Sequence, residues 1–290
     1  MVWVPGVSLT EVGLLGASSP VGACVAERLK SAGRPVRGFS RQDFPPELSG
    51  VCWDRPRVAG LSLTDWISLL PLWVLPDYFP LIEASGARRV VALSSTSRFT
   101  KVGSGDTAEN AIAAKLIDAE ARVQAWAEGR GIEWVVLRPT LIYGQGRDKN
   151  ISEMARFIRR FAFFPLLGSA QGLRQPIHAE DVAAACMAAL QAPGAANRAY
   201  NLSGGETLAY REMVARVFAA LGRPVRLVTV PLWTFRLAVA MLRYLPRYRH
   251  WSAAMAERMN RDLVFDHAEA ARDFGFKPRG FALVAEDLPR

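Results

Sequence analysis

The chain has 290 residues and a mass of 31.8 kDa, and half of its residues are hydrophobic, so a sizeable core is expected and a mainly disordered chain is excluded. Its 36 basic and 27 acidic residues give a net charge of +9, which favours anionic partners such as nucleotides, phosphates, nucleic acid or an anionic membrane surface. Three cysteines far apart in the sequence indicate neither a disulfide framework nor a zinc site, and no metal is expected.

The apolar runs of the chain are too interrupted for a membrane-spanning helix, since the best candidate, residues 227–242, contains Pro231 and Arg236. Residues 1–10 carry no basic residue ahead of their apolar positions and no apolar block of signal-peptide length. A cytoplasmic protein is therefore expected.

Strand-length apolar runs alternate with segments of helical period in the first half of the chain. Strands are predicted at 12–15, 36–39, 51–53, 66–70, 89–93 and 134–137. Helices are predicted at 20–32, 77–84 and 110–128. Because this alternation is typical of a parallel sheet that is covered by helices on both faces, an α/β fold is predicted.

The pattern changes after about Tyr143, where arginines and aromatic residues cluster between residues 147 and 174. Further helices are predicted at 181–190, 210–221 and 232–244, and further strands at 200–202 and 226–230. No internal repeat or low-complexity linker separates the two halves. The second half is therefore predicted to form a smaller domain that is partly interleaved with the first.

Residues 16–22 (GASSPVG) connect the first predicted strand to the first predicted helix. Small residues there would let the backbone approach a pyrophosphate, whose charge the helix amides and dipole favour. Ser19 is suited to cap the helix and Pro20 to be its first residue. An ordinary strand-to-helix turn of small residues is the alternative interpretation.

Five segments follow one another in an informative order: residues 16–22, 93–96 (LSST), 137–144 (LRPTLIYG), 174–181 (RQPIHAED) and 266–276 (DHAEAARDFGF). Together they resemble the extended and atypical short-chain dehydrogenase/reductase superfamily, in particular its NAD-dependent epimerase/dehydratase branch. Ser19 stands where the family's phosphate loop usually has its middle glycine. The resemblance implies a Rossmann-type doubly wound parallel sheet with a smaller, partly interleaved C-terminal substrate lobe.

The resemblance also implies that two parts of the chain bind different ligands. Residues 1–146 would bind NAD(P), and residues 147–290 would mainly bind substrate, with segments around 174–202 returning to the first domain. The loop residues assigned to the cofactor are Gly16, Ser18, Ser19, Pro20, Val21 and Gly22. The other residues assigned to it are Ser40, Arg41, Asp54, Leu70, Lys115 and Pro139. Arg41 favours NADP over NAD, because an arginine at this strand end can pair with the 2′-phosphate.

The family usually places a tyrosine four residues before a lysine, and the phenol acts as acid and base. Lys115 lies in the matching region, but Ala111 stands four residues before it. Lys115, Ser94 and Ser95 are the candidate catalytic residues. Three explanations of the missing phenol remain open: another group such as Glu109, Thr107 or Tyr143 transfers the proton, substrate or water does so, or the protein binds a dinucleotide without turnover.

Candidate substrate-binding residues are Thr96, Tyr143, Arg174 and Arg258. Arg174 matches the family arginine that contacts a substrate diphosphate, and a guanidinium suits bidentate phosphate binding. Arg258 is a second candidate clamp. His178 is expected to cap or pack rather than to catalyse, beside Asp181 at a helix start.

The resemblance therefore implies an NAD(P)-dependent epimerase/dehydratase-type oxidoreductase that acts on a nucleotide sugar or a similar phosphorylated small molecule. The alternative is a catalytically silent NAD(P)-binding regulator or assembly factor, as in family members that serve as redox sensors or accessory subunits of respiratory complex I. A homodimer through helix 110–128 is reasonable, and no nucleic-acid motif is recognised. Core packing is the expected role of residues 232–251, with contact to an anionic membrane as the alternative.

Overall fold

The computed structural model of the chain describes residues 10–41, 48, 50–56, 60–234 and 253–289. Most of the helix predicted at 232–244, with Arg236 and Arg243, lies outside these residues. Among the residues that are described, no helix is both long and apolar enough to cross a membrane.

The helices and strands follow the alternation that the sequence predicts. The strands are β1 (Val12–Leu15), β2 (Val36–Phe39), β3 (Val51–Asp54), β4 (Asp65–Ser68), β5 (Arg89–Leu93), β6 (Glu133–Pro139), β7 (Ile142–Tyr143), β8 (Phe164–Leu167), β9 (Leu173–Arg174), β10 (Ile177–His178), β11 (Arg198–Leu202), β12 (Leu208–Ala209) and β13 (Leu227–Val230). The helices are α1 (Pro20–Ser31), α2 (Phe79–Ala84), α3 (Ser97–Thr100), α4 (Thr107–Arg130), α5 (Ile151–Phe161), α6 (Ala179–Gln191), α7 (Tyr210–Ala220), α8 (Ala253–Asn260) and α9 (Ala268–Phe274). A 3-10 helix at Leu72–Tyr78 precedes α2, so the segment predicted as one helix at 77–84 is a 3-10 turn followed by a short α-helix.

Seven strands form the central sheet in the order β11-β6-β5-β4-β1-β2-β3, and every neighbouring pair is parallel. Val12 of β1 lies opposite both Val36 of β2 and Asp65 of β4. From β1 the chain builds the sheet in one direction and then crosses over to build it in the other. The predicted doubly wound parallel sheet is confirmed, and its switch point lies at the carboxyl ends of β1 and β4.

Two hydrophobic layers cover the faces of the sheet. On one face α1 and α6 pack through residues such as Val25 and Ala183, and on the other α4 packs with α2 and the 3-10 helix through residues such as Leu116 and Leu75. Asp106 caps the start of helix α4, because its carboxylate accepts from the backbone amide of Ala108 at 2.9 Å. It ends where Gly131 adopts a positive φ of 65°, as expected for a C-terminal glycine.

A separate core joins α5, α7, β8 and β13 in the second half of the chain, around residues such as Ile158 and Phe218. β8 and β13 pair in parallel, and β9 pairs with β12. Helix α6 and strand β11 lie instead with the central sheet. The stretch 174–202 therefore begins in the smaller core and ends in the large one.

Candidate functional site

A cleft of about 1060 Å³ opens at the carboxyl ends of the central strands, between the sheet and the smaller core. Its sheet side includes Leu69 after β4, Leu93 at the end of β5 and Thr140 after β6. Its other side includes Arg174 of β9 and Tyr210 of α7. The cleft therefore lies where doubly wound sheets bind ligands.

The glycine-containing loop forms one end of this cleft, and its backbone geometry explains the residues it uses. Gly16 has a φ of +80°, which favours glycine. A Cβ on Gly22 would lie 2.4 Å from the carbonyl oxygen of Gly16, so only glycine lets α1 approach the loop this closely. Ser19 caps α1, because its Oγ accepts from the amide of Gly22 at 3.0 Å. Of the predicted loop residues, Ser19, Pro20 and Val21 line the cleft.

The remaining loop residue, Ser18, is exposed, and its carbonyl oxygen accepts from Nη2 of Arg147 at 3.3 Å. Arg147 itself lines the cleft and comes from the segment that leads into α5. A basic side chain from the second half of the chain thus lies against the loop. Sequence reasoning did not assign Arg147, although it lies only three residues beyond the family segment at 137–144.

The residues predicted at the ends of β2 and β3 lie outside the cleft lining. The carboxylate of Asp54 accepts from Nη1 of Arg37 at 3.1 Å, and its carbonyl oxygen accepts from the amide of Ser40 at 3.1 Å. Arg41 is exposed. Leu70 and Pro139 also lie outside the lining, whereas their chain neighbours Leu69 and Thr140 belong to it.

The serines after β5 have different surroundings. Ser94 is buried and donates to Oε1 of Glu120 at 2.5 Å, and Nη2 of Arg138 donates to Oε2 of the same carboxylate at 2.6 Å. The predicted catalytic Ser94 is therefore held beneath the cleft. Ser95 and Thr96 do line the cleft, and Oγ of Ser95 accepts from the amide of Ser97 at 3.1 Å.

The structure does not bring Lys115 to the cleft. Its side chain is exposed, and its Nζ lies 6.0 Å from the ring centre of Trp73. The side of α4 that faces the sheet carries Ala113, Leu116 and Glu120, at the three- and four-residue spacing of a helix. Lys115 and Ala111 fall on the exposed side of that pattern. The apolar spacing in the sequence already places Lys115 on the exposed side of α4.

Tyr143 is a core residue rather than part of the cleft lining. It is fully buried, with its ring edge-on to His178 at 5.0 Å and to Phe281 at 4.9 Å. Its hydroxyl lies near the backbone of Ala282 but without hydrogen-bond geometry to any described residue. Burial, with a further contribution from Asp287, raises the pKa of Tyr143 to about 12. We therefore expect Tyr143 to take no part in substrate binding or proton transfer.

Lys101 is a cleft residue that sequence reasoning missed. It follows α3, is half-buried and lines the cleft together with Ser95 and Thr96. Burial lowers the pKa of Lys101, and nearby Arg258 adds to the lowering, while Glu109 opposes it. No carboxylate in the described ranges forms an ion pair with its Nζ within 4.0 Å. Its place in the loop after β5 was a usable signal, because such loops form the ligand edge of a parallel sheet.

Arg174 lies in the cleft wall as expected, but much of its guanidinium is already engaged. Nη1 donates to the carbonyl oxygens of Leu173 at 2.7 Å and Arg261 at 2.8 Å, and Nη2 donates to that of Arg258. Burial lowers the pKa of Arg174 to about 10. Arg174 thus holds the end of α8 against the cleft while its edge still faces the cavity.

Arg258 lines the cleft and forms an ion pair with Glu109 of α4. This contact joins the smaller core to the helix that covers the sheet. His178 behaves as the sequence indicates, because its Nδ1 accepts from the amide of Glu180 at 3.2 Å and caps α6. Its Nε2 lies 2.9 Å from Oδ1 of Asp287. Asp181 does not cap the helix but pairs with Arg279 at 3.0 Å.

The cleft is predominantly basic. Two acidic side chains in its lining are Asp148 and Glu153. The basic side chains in the lining are Lys101, Arg147, Lys149, Arg174 and Arg258. Serine and threonine residues also line the cleft. A lining of this kind suits a ligand with several phosphate groups.

Comparisons with known proteins agree with this architecture. UDP-glucose 4-epimerase of Vibrio cholerae is 24% identical over 161 residues, which cover 56% of this chain and 47% of the relative. 2-Alkyl-3-oxoalkanoate reductase of Stenotrophomonas maltophilia is 30% identical over 185 residues, which cover 60% of this chain and 56% of the relative. The chain thus matches about half the length of these relatives.

A solved structure shares the fold at low sequence identity. It is dTDP-glucose 4,6-dehydratase of Bacillus anthracis in complex with NAD, with a TM-score of 0.66 at 13% identity. The superposition covers 96% of this chain and 93% of the dehydratase chain. A sequence model of the NAD dependent epimerase/dehydratase family matches residues 79–203, from α2 to the end of β11. The resemblance found in the sequence is confirmed over residues 79–203, which match the NAD dependent epimerase/dehydratase family.

Proposed function

We propose that the protein is an NAD(P)-dependent oxidoreductase of the epimerase/dehydratase type that acts on a nucleotide sugar or a similar phosphorylated small molecule. The observation that carries this proposal is one cleft whose lining includes both Ser19 in the loop and the distant Arg174 and Arg258. The names of the relatives above support it, since they act on nucleotide sugars or are reductases.

The end of the cleft formed by residues 16–22, which we call the loop end, fits a dinucleotide. Helix α1 points its N-terminal turn at the cleft, and Gly22 and Gly16 keep that turn free of bulky side chains. Ser19 and the Arg147 guanidinium would hold the pyrophosphate. A bound nicotinamide would supply the two-electron oxidation or reduction of a substrate carbon. NADP is the preferred cofactor, because exposed Arg41 at the end of β2 offers a partner for the additional phosphate.

The residues of the other end fit a second phosphorylated ligand. Arg174 and Arg258 present guanidinium groups to the cavity from β9 and α8. Ser95 and Thr96 line the cleft just after the end of β5. These four residues would bind and orient the substrate, with the phosphates held by the arginines.

Lys101 is assigned the proton transfer for which the family uses a tyrosine. It lies in the cleft beside Ser95, and its lowered pKa makes the neutral amine more accessible than on a surface lysine. Ala111 stands where the family has its tyrosine. The more buried positions of α4 near Ala111, Ile112 and Leu116, carry hydrocarbon side chains that cannot transfer a proton. Lys115 has no part in this assignment.

Thermal unfolding of the purified protein with NAD, NADH, NADP and NADPH tests the proposal. A ligand at a hundred times its Kd stabilises the fold by about 2.7 kcal/mol, so at least one of the four should raise the Tm by several degrees. UDP-glucose added together with the dinucleotide should raise the Tm further. It would bind at the end of the cleft lined by Arg174 and Arg258, the arginine end, which is a separate subsite. No shift with any dinucleotide at saturating concentration would refute the proposal.

A second candidate function is dinucleotide binding without turnover, in a regulator or an assembly factor. The observation that favours it is that α4 turns Ala111 and Lys115 away from the cleft and Leu116 towards the core. Native mass spectrometry would show whether a dinucleotide travels with the protein. A retained dinucleotide that stays in one redox state with nucleotide sugars and carbonyl compounds would favour this second function.

A homodimer through α4 completes the proposal. The exposed side of this helix carries Ile117, which is 40% exposed, beside Lys115 and the indole of Trp73. Sedimentation equilibrium of the wild-type protein and of Ile117→Glu tests it. A dimer that dissociates in the variant would support the interface, and a monomeric wild type would refute it.

A further inference from the structure

Two stretches of the chain contain no acidic residue at all. Residues 154–179 and residues 213–256 lack aspartate and glutamate, and they contain four and seven arginines respectively. The structure brings the described parts of these stretches together, because β8 of the first pairs in parallel with β13 of the second. The segments that pair at β8 and β13 therefore bring arginines and no carboxylates to this end of the smaller core.

The same region exposes large apolar side chains. Phe161 is 48% exposed and Phe163 is 36% exposed at the end of α5, and Val225 and Val228 are about half exposed around the start of β13. Trp233, three residues beyond β13, is 68% exposed. Such exposure of neighbouring aromatic and aliphatic side chains marks an interaction surface rather than isolated surface residues.

Several contacts link α5, β8 and β13 in this region. The rings of Phe161 and Phe163 have centres 6.4 Å apart, and the amide of Phe164 donates to the carbonyl oxygen of Arg226 at 2.9 Å. Val228 lies opposite Pro165 in the strand pair. We call this surface the β13 face. It comprises Arg156, Arg160, Phe161, Phe163, Val225, Arg226, Val228 and Trp233.

The arginines of the β13 face are not neutralised by the protein itself. Within the part of the chain that the structure describes, Arg156, Arg160 and Arg226 form no ion pair with a carboxylate. The guanidinium of Arg160 lies 5.3 Å from the ring centre of Phe161, so cation and aromatic ring are presented side by side. Arg159 and Arg223 donate to backbone carbonyl oxygens instead.

We propose that the β13 face binds the protein to the surface of an anionic phospholipid bilayer. Exposed aromatic rings suit the boundary between headgroups and acyl chains, and unpaired arginines suit lipid phosphates. The absence of acidic residues from both stretches removes the repulsion that a mixed surface would suffer. Nucleic acid is the weaker partner, because the aliphatic part of the face, Val225 and Val228, gains nothing from a sugar-phosphate backbone. This proposal does not depend on the function of the cleft.

Co-sedimentation of the full chain with vesicles tests the proposal. We expect binding to vesicles of phosphatidylglycerol and phosphatidylcholine, weaker binding at high salt, and little binding to phosphatidylcholine alone. Replacing both Phe161 and Phe163 by serine should lower the partition coefficient about tenfold or more, since two aromatic contacts with the bilayer are lost. Arg156→Gln with Arg160→Gln should lower it by about fivefold for each charge.

Matched controls lie elsewhere on the surface. Val264→Ser removes a side chain of similar exposure, and Arg122→Gln removes an exposed helical arginine of α4, so both should bind as the wild type does. Unchanged Tm values would show that the variants fold. Vesicle binding that neither double variant lowers would overturn the proposal. Retention of single-stranded RNA in place of anionic vesicles, or a dimer that dissociates in the phenylalanine variant without any vesicle binding, would also overturn it.

Discussion

The two ends of the cleft are built in different ways. The loop end is assembled from residues 16–22, where a positive φ at Gly16, a cap at Ser19 and a close approach at Gly22 are set by near neighbours in the chain. The arginine end depends on residues far apart, since Arg258 and Glu109 are 149 positions from each other. Local geometry thus defines the loop itself, whereas tertiary packing brings the arginines to the cleft.

The largest expected effect concerns Lys101 at the junction of the two ends. Replacing it by methionine or by arginine should lower turnover by about 10²- to 10⁴-fold, because neither side chain exchanges a proton near neutral pH. Binding of NADP(H) should change little, since Ser19 and Arg147 remain. Steady-state kinetics with UDP-glucose and calorimetric binding of NADP separate the two quantities.

The pH profile sharpens the same test. Burial lowers the pKa of Lys101 below the ordinary lysine value of 10.5. The Lys101 ammonium therefore loses its proton at a lower pH than the ammonium of an exposed lysine does. Substrate oxidation needs the neutral amine as a base. The rate of oxidation should therefore rise with pH up to the pKa of Lys101 and stay constant above it. Full activity of Lys101→Arg would show that only the charge matters.

The next effect probes the local geometry of the loop end. Gly22→Ala should lower the free energy of unfolding by about 2 to 3 kcal/mol, because the added Cβ would lie 2.4 Å from a backbone oxygen of the loop. Urea unfolding measures it. Gly129→Ala in α4 is the matched control, since no atom lies within 4 Å of its added Cβ, and it should raise stability by about 0.5 kcal/mol. Equal effects at both sites would contradict the close approach.

A third test breaks the long-range contact of the arginine end. Arg258→Met removes the ion-pair partner of the buried Glu109 carboxylate, to which Ser104 still donates at 2.8 Å. The change should cost about 1 to 2 kcal/mol, less than for a fully buried pair, because Arg258 is partly exposed. Adding Glu109→Gln should restore part of the loss. A double-mutant cycle in urea measures the coupling, and strictly additive effects would refute it.

Tyr143 gives a smaller effect of opposite sign. Its buried hydroxyl has no hydrogen-bond partner among the described residues, so Tyr143→Phe should leave stability unchanged or raise it by up to about 1 kcal/mol. Affinity for UDP-glucose should not change. A weaker affinity in this variant would return Tyr143 to the substrate site.

The smallest effect is expected at Lys115. Lys115→Met should change stability by less than about 0.5 kcal/mol and leave NADP binding and turnover as in the wild type, because the side chain is exposed outside the cleft. Lys101→Met serves as the comparison. A large loss of turnover in Lys115→Met with a normal Lys101→Met would reverse the assignment of the two lysines.

The sequence was informative wherever neighbours in the chain determine the structure. The order of strands and helices, the cap at Ser19 and the helix start at Pro20 follow from local patterns. The cap at His178 was also expected. These features need no knowledge of distant residues, so a single sequence is sufficient to predict them.

The rest of the site depends on which way side chains point and on contacts across the chain. A motif placed Tyr143 near the cleft, but packing against Phe281 turns it into the core. The same kind of motif selected Lys115, although helical spacing places it outside. The sequence shows only that Lys101 follows β5. Its lowered pKa depends on α4 and α8, which only the fold brings near it.

Calorimetric titration of NADP and NAD into the wild type, Ser19→Asp and Ser19→Asn tests the central claim most directly. Both substitutions keep a good cap for α1, but only aspartate adds a negative charge where the pyrophosphate would lie. A charge pair about 4 Å apart costs up to about 4 kcal/mol near a protein surface, so Ser19→Asp should weaken binding on the order of a hundredfold or more while Ser19→Asn binds nearly as well as the wild type. Equal affinity of all three proteins would contradict a dinucleotide at the start of α1.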